Sequence, residues 1–152
     1  MGNLKQSILA GLFSIITIGI LTLLTYKTDF GVFLIASFGS SMVLLFGYPD
    51  SPFAQPKNVF FGHLLTALVG IMFLKFIPLP IFITIPLAVG FGVGLMILFN
   101  VTHPPAGGNP IIVIIGGVSF EYLLSPVISG SIIIIIFAIV LNRLILKKNY
   151  PS

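Results

Sequence analysis

Cysteine is absent from this sequence and charge is scarce, with only 7% of residues being Asp, Glu, Lys or Arg. Without cysteine there are no disulfides, no thiol chemistry and no thiolate metal site. With so little charge the chain cannot present the surface of a soluble domain, in which roughly a quarter of residues are charged. No polar run is long enough to build an appended soluble domain, and no charged residue lies between Lys75 and Glu121. The metalloprotease pattern H-E-x-x-H is missing, and the two histidines are not at ligand spacing on one helix. Nor does the order of Ser, His and Asp along the chain suggest a nucleophilic triad.

What is there is apolar: 57% of residues are hydrophobic and the mean hydropathy is +1.21. Charge-free runs long enough to span a bilayer recur, with 21 residues between Lys5 and Lys27, 20 between Asp29 and Asp50, and 21 between Glu121 and Arg143. The chain is read as an all-α polytopic integral membrane protein, a single domain over residues 1–152, with the lipid bilayer as its principal partner. The basic residues sit mostly at segment ends, where they act as topology signals rather than as a nucleic-acid surface. The first apolar run is too long for a signal-peptide core and lacks an A-x-A-like site, so it is an uncleaved first helix.

Five full spans are expected, over residues 7–26, 30–47, 56–76, 81–99 and about 119–146. Ser119 reads as the N-cap of the last span, with Glu121 in its first turn and a kink near Pro126. Between the fourth and last spans lies a short apolar stretch from Pro110, interrupted by Gly116-Gly117. A helix over residues 111–124 reaches about 21 Å, short of a hydrocarbon core of about 30 Å. It either crosses or dips in and returns, and the crossing reading is preferred. Arg143, Lys147 and Lys148 place the C-terminus in the cytoplasm either way, and crossing brings Lys5 and Lys57 to the same side. A bacterial cytoplasmic membrane is the expected location.

The stretch NVTHPPAGGNP, residues 100–110, is the centre of the functional reading. Prolines fix φ and push His103 toward extended geometry, two glycines free the chain to turn, and Asn109 before Pro110 reads as an N-cap opening a helix. Thr102, His103 and Asn109 are the candidate binding groups there. A second polar loop, residues 48–58, offers Asp50, Ser51, Gln55, Lys57 and Asn58. Asp50 is equally a turn residue, and Lys57 reads first as a topology charge. Ser40 and Ser41 are either binding groups or small packing residues. His63 lies beside a stripe of Gly62, Thr66 and Gly70, where it can bond across an interface or line a path. An intramembrane imidazole is costly and usually functional, which weighs against a purely structural His103.

A shift of 53 residues aligns FGSSMVLLFGYPDSP from Phe38 with FGVGLMILFNVTHPP from Phe91, a weak parallel internal repeat. Both copies end in a proline-rich polar loop, and Asp50 falls opposite His103. The repeat predicts that the two loops lie on one membrane face and meet, with Asp50 near His103. Paired repeats with broken helices point to transporter sites.

With both loops read, the chain resembles the HPP family of small integral membrane proteins, named for the tripeptide His103-Pro104-Pro105. The resemblance covers nearly the whole sequence. It rests on Phe38-Gly39-Ser40-Ser41, on Pro49-Asp50-Ser51-Pro52 with Ala54-Gln55-Pro56-Lys57-Asn58-Val59, on Gly62-His63-Leu64, on Thr102 through Gly107, and on Asn142-Arg143 through Tyr150-Pro151. The family usually has Ala near Gly108 and Asn109. Some members carry an added soluble domain, and those of cyanobacteria and chloroplasts are implicated in nitrite transport. The resemblance therefore implies a small transporter or channel-like permease for an inorganic anion, nitrite first, with protons as a candidate co-substrate. No cofactor and no enzyme activity are expected. The rival readings are an intramembrane enzyme or metal site on His63, His103 and Asp50, and a non-transporting structural subunit. A chain this small is expected to form a homo-oligomer, with the glycine stripes of the third span (Gly62, Gly70) and the fourth (Gly90, Gly94) as contact faces.

Overall fold

The computed structural model describes residues 4–152, and the regular elements among them are all helical. Four helices are long and apolar enough to cross a membrane: α1 (Leu4–Lys27), α3 (Pro56–Phe76), α4 (Ile81–Leu98) and α6 (Leu123–Ile145). Between them lie two shorter ones, α2 (Ala36–Gly47) and α5 (Asn109–Gly116). At 1.5 Å per residue these two reach only about 18 Å and about 12 Å.

The second of the five expected full spans is therefore not a continuous helix. Residues 30–35 are not helical, and Gly31 adopts φ +120°, a conformation open to glycine alone. Side chains take over the backbone partners that a helix would have supplied. The Phe33 amide donates to Thr25 Oγ1 at 3.0 Å, and the Ser125 hydroxyl donates to the Val32 carbonyl. Within α6, the helix breaks at Ser125 (φ −137°, ψ 115°), immediately before Pro126. A residue preceding proline is driven out of helical geometry, and the expected kink falls there.

Hydrogen bonds fix which chain segments share an end of the bundle. The Gln6 side chain donates to the Gly47 carbonyl at 2.9 Å, and Asn142 donates to the Leu45 carbonyl at 2.9 Å. Tyr150 donates its hydroxyl to the Ala54 carbonyl at 2.7 Å. Arg143 holds the Tyr150 carbonyl at 2.6 Å, and the Ser152 amide reaches Gln55 Oε1 at 2.9 Å. The start of α1, the loop after α2 and the C-terminal tail thus lie together, and the tail forms a latch on the loop. At the other end, Ser119 donates to the Glu121 carboxylate. That bond, reinforced by the charge of Lys75, holds Glu121 below the usual carboxylate range.

The short α5 accordingly carries the chain from the interior toward the Glu121 end. Its first residues pack at Gly70 of α3, where a Cβ would stand 2.9 Å from Pro110 Cα and 3.0 Å from Val113 Cβ. Lys5, Lys57, Arg143, Lys147 and Lys148 are placed at one end, with Lys27 and Lys75 at the other, in keeping with the crossing arrangement.

The α3 glycines, expected as a contact face between copies, are instead filled by contacts within the chain. A Cβ on Gly62 would lie 2.8 Å from His103 Cβ. Gly90 and Gly94 of α4 instead face open space and have nothing within 4 Å. A leucine at Gly94 should therefore change the unfolding free energy of the protomer in detergent by no more than about 0.5 kcal/mol. A larger loss, accompanied by a smaller particle on size-exclusion chromatography, would place Gly94 in a contact between copies.

Candidate functional site

His103 adopts φ −134° and ψ 100°, the extended geometry that Pro104 imposes, ahead of the 3-10 turn Pro104–Gly108. That turn delivers Asn109 into the interior rather than to the surface. Asn109 is itself helical (φ −60°, ψ −41°), and no side chain caps α5. The expected N-cap role is thus corrected: Gly108 occupies the N-cap position and Asn109 is already the first residue of α5, so its side chain points sideways into α2 and α3. Asn109 Oδ1 accepts from the Ser37 hydroxyl at 2.7 Å. Asn109 Nδ2 faces Thr66 Oγ1 at 3.0 Å, the His63 carbonyl at 3.2 Å and His63 Nδ1 at 3.1 Å. Since a carbonyl can only accept, the amide nitrogen must lie on the His63 side, and the orientation of the Asn109 amide is settled.

Ser41 completes the cluster. Its hydroxyl lies 3.0 Å from His63 Nε2 and 2.8 Å from His103 Nε2, so that two imidazoles share one oxygen. The two rings are 4.9 Å apart, centre to centre, and His63 also stacks edge-on against Phe38. On its far side, His103 Nδ1 meets the Phe53 carbonyl at 2.7 Å. Ser41, His63, Thr66 and His103 are fully buried, and Ser37 and Asn109 nearly so. His63 and His103 lie about one turn nearer the loops than Thr66, which is ten residues into α3, about 15 Å along a helix of about 32 Å and so near mid-depth with Asn109. There the starts of α2 and α5 meet through Ser37 and Asn109, and the two short helices diverge toward opposite ends.

The sequence candidates divide into three groups. Ser41, His63, His103 and Asn109 converge. Ser51, Gln55, Asn58 and Thr102 instead fasten the loops: Ser51 Oγ accepts from the Phe53 amide, Gln55 donates to the Pro49 and Ser51 carbonyls, and Asn58 donates to the Thr102 carbonyl at 2.9 Å. Asp50, Lys57 and Ser40 are exposed. The two loops do meet, as the repeat predicts, but the group that His103 contacts there is the Phe53 carbonyl. The sequence holds only three acidic residues, and Asp29, Asp50 and Glu121 are all exposed. The buried cluster is therefore free of carboxylate. Two imidazoles converge in it, yet no group of three metal-ligating residues forms among the described residues.

Sequence reasoning missed Ser37 and assigned Thr66 to packing alone. The available signal was spacing: Ser37 and Ser41 are four apart on one helix face, as are Gly62 and Thr66. A groove of about 730 Å³ runs between α1 and α2, lined by Gln6, Gly11, Ser14, Gly39, Gly47 and Tyr48 among others. Its α2 lining comes from residues other than Ser41.

These features define a polytopic helical membrane protein with two broken crossings and a buried His–Ser–His cluster between them. The sequence profile of the family described as HPP, transmembrane region, matches residues 1–151. The chain belongs to that family. It is 36% identical over 125 residues to a transmembrane protein of Dictyostelium discoideum, covering 78% of this chain and 44% of the relative. A second Dictyostelium transmembrane protein is 34% identical over 148 residues, covering 91% and 48%. The chain spans about half the length of these curated relatives, and no solved structure matches it. Both relatives are eukaryotic proteins, so they lend no support to the bacterial location expected above.

Proposed function

We propose that this protein is a small membrane permease for an inorganic anion, with the end that holds the C-terminus facing the cytoplasm. The observation that carries the reading is the junction of two helix starts, bridged by Asn109 at mid-depth in a polar cluster without a carboxylate. An anion leaving water must find donors, because transfer into a low-dielectric interior without them is prohibitive. No side chain caps α2, and the first amides of a helix favour negative charge. At the start of α5 the Asn109 backbone amide is held by the Ala106 carbonyl and Pro110 has none, so the donors there are side chains. Broken helices meeting at the midplane are where secondary transporters bind their substrates. Nitrite is the leading candidate through the family resemblance, and protons are the candidate co-substrate. In the closed arrangement seen here the cluster is filled by its own hydrogen bonds, so cargo must enter by separating α2 from α5.

A second reading has one observation in its favour. The Ser41 hydroxyl and His103 are within hydrogen-bond reach, and His103 is oriented by the Phe53 carbonyl, a nucleophile–base–orienter sequence. That reading makes the protein an intramembrane hydrolase. Labelling of Ser41 by a fluorophosphonate would favour it.

The test is uptake of a panel of small anions into proteoliposomes, corrected for passive leak of the protonated acids. Nitrite uptake should exceed that of protein-free vesicles and rise once the pH is low enough to charge His103, as a charged imidazole helps to hold the anion. His103→Ala should lower it by about tenfold or more, the rate equivalent of about 1.4 kcal/mol. No anion moving faster than leak would overturn the permease reading.

A further inference from the structure

The hydrogen-bond partners around Ser41 fix where each proton of the cluster resides. His103 Nδ1 faces the Phe53 carbonyl at 2.7 Å, so that nitrogen carries a hydrogen, and in the neutral ring Nε2 is bare. His63 shows the reverse. Its Nδ1 faces the Asn109 amide nitrogen at 3.1 Å, a donor, so Nδ1 is the bare nitrogen and Nε2 carries the hydrogen. Asn109 has two amide hydrogens for three acceptors. One goes to Thr66 Oγ1, whose own hydrogen is given to the Gly62 carbonyl at 2.8 Å. The other is shared between His63 Nδ1 and the His63 carbonyl. In the neutral state His63 Nε2–H therefore donates to Ser41 Oγ, and Ser41 O–H donates to His103 Nε2.

The Ser41 hydroxyl has a second acceptor within reach, the Ser37 carbonyl at 3.0 Å. We propose that Ser41 is a two-position switch that lets His103 take up a single proton while His63 stays neutral. When a hydronium ion gives its proton to His103 Nε2, one N–H bond forms and water is released. Ser41 keeps its own hydrogen and turns it from Nε2 to the Ser37 carbonyl. Its oxygen then accepts from both imidazoles, through His63 Nε2–H and the new His103 Nε2–H. Every donor in the charged state has an acceptor, as in the neutral one, so the proton is bound without leaving a buried polar group unmet.

His63 has no such freedom. A second hydrogen on its Nδ1 would point at the Asn109 amide nitrogen, donor against donor. Charging His63 therefore requires Asn109 to withdraw, which breaks the bridge between α2 and α5. The cluster is built to hold one proton, and its place is His103.

The charged surroundings are simple. From α3, His63 is the titratable group in contact with His103, and Lys57 and Lys75 of that helix are exposed. Helices α2, α4 and α5 carry no ionisable side chain. The loop before α3 contributes the Phe53 carbonyl, and its Tyr48 and Asp50 are exposed. The inference deepens the permease reading by locating the co-substrate proton, and it rests on that reading only for its purpose in transport.

Because the chain has only two histidines, the experiment is direct. The full chain, labelled with 15N-histidine and reconstituted in lipid without any added anion, is titrated by NMR from mildly alkaline to strongly acidic pH. At the alkaline limit the spectrum should show opposite tautomers, His103 as Nδ1–H and His63 as Nε2–H, assigned with His103→Gln. On acidification one imidazole should gain a second N–H, and this transition should be absent from His103→Gln. The His63 Nε2 signal should shift with the same midpoint as its Ser41 acceptor turns, and Ser41→Ala should abolish that shift. Identical tautomers, a His63 that becomes doubly protonated at the same midpoint or earlier, or no transition in either ring would each overturn the proposal. Since no anion is present, that result is independent of the uptake assay. A normal titration with no anion flux would defeat the permease reading alone, and flux without the titration would defeat the switch alone.

Discussion

Substituting leucine for Asn109 should lower the unfolding free energy in detergent by about 2–3 kcal/mol, from interhelical hydrogen bonds in membranes that average about 0.6 and reach at most about 1.7 kcal/mol each. The side chains are similar in size, so the loss comes from polarity and not from a cavity. Asn109 joins α2, α3 and α5 through Ser37, His63 and Thr66. Its removal costs the Ser37 hydroxyl its acceptor and His63 Nδ1 its donor. Thr66 loses less, because its bond to the Gly62 carbonyl remains. A double variant, Asn109→Leu with Ser37→Ala, should be less destabilised than the sum of the single variants. Removing both partners leaves no orphan, whereas removing one does. Additive losses in that cycle would show that Asn109 and Ser37 do not act as a pair.

Gly62→Ala is expected to cost about 1–3 kcal/mol, the range for overpacking a filled site, and to abolish uptake in the proteoliposome assay. The added carbon would meet His103 Cβ at 2.8 Å and the Val101 carbonyl at 3.1 Å. Neither neighbour is the far end of a flexible chain, and both belong to the backbone segment that sets the imidazole in place. Displacing that segment also moves His103 Nε2 from Ser41. Gly39→Ala on α2 is the control, since nothing lies within 4 Å of its added carbon. Equal melting temperatures for the Gly62 and Gly39 variants would mean that the close approach of α3 to the His103 loop has no energetic consequence.

Much of the layout was legible in the residues. Pro104 dictated the extended His103, Pro56 opened α3, and Pro126 marked the break in α6. The shared end of the two loops followed from a repeat of five identities, because both copies terminate in the same proline chemistry. The break before α2 was less accessible. Residues 30–35 are as apolar as a spanning helix, and only Gly31 hinted at a departure. One decisive partner, Ser125, lies 93 positions away in sequence, and the nearer one, Thr25, reads only as a residue of the preceding helix. The same limit applied to the site. Hydropathy and motifs brought His63, Ser41 and His103 into consideration, but a sharing of one hydroxyl by residues 22 and 62 positions apart is a tertiary fact. Charged residues drew attention to Asp50 and Lys57, whereas the interior is organised by neutral donors and acceptors.

The latch formed by the C-terminal tail has a mechanical meaning. Tyr150 grips the Ala54 carbonyl, and the preceding peptide supplies the Phe53 carbonyl that sets the hydrogen on His103 Nδ1. One peptide plane separates the tail from the acid–base state of the protein's interior. Tension or docking at the tail that rotates this plane would release Nδ1, and His103 could then exchange tautomers. The buried Tyr150 of the tail and the proton site at His103 are thus joined through two adjacent peptide planes.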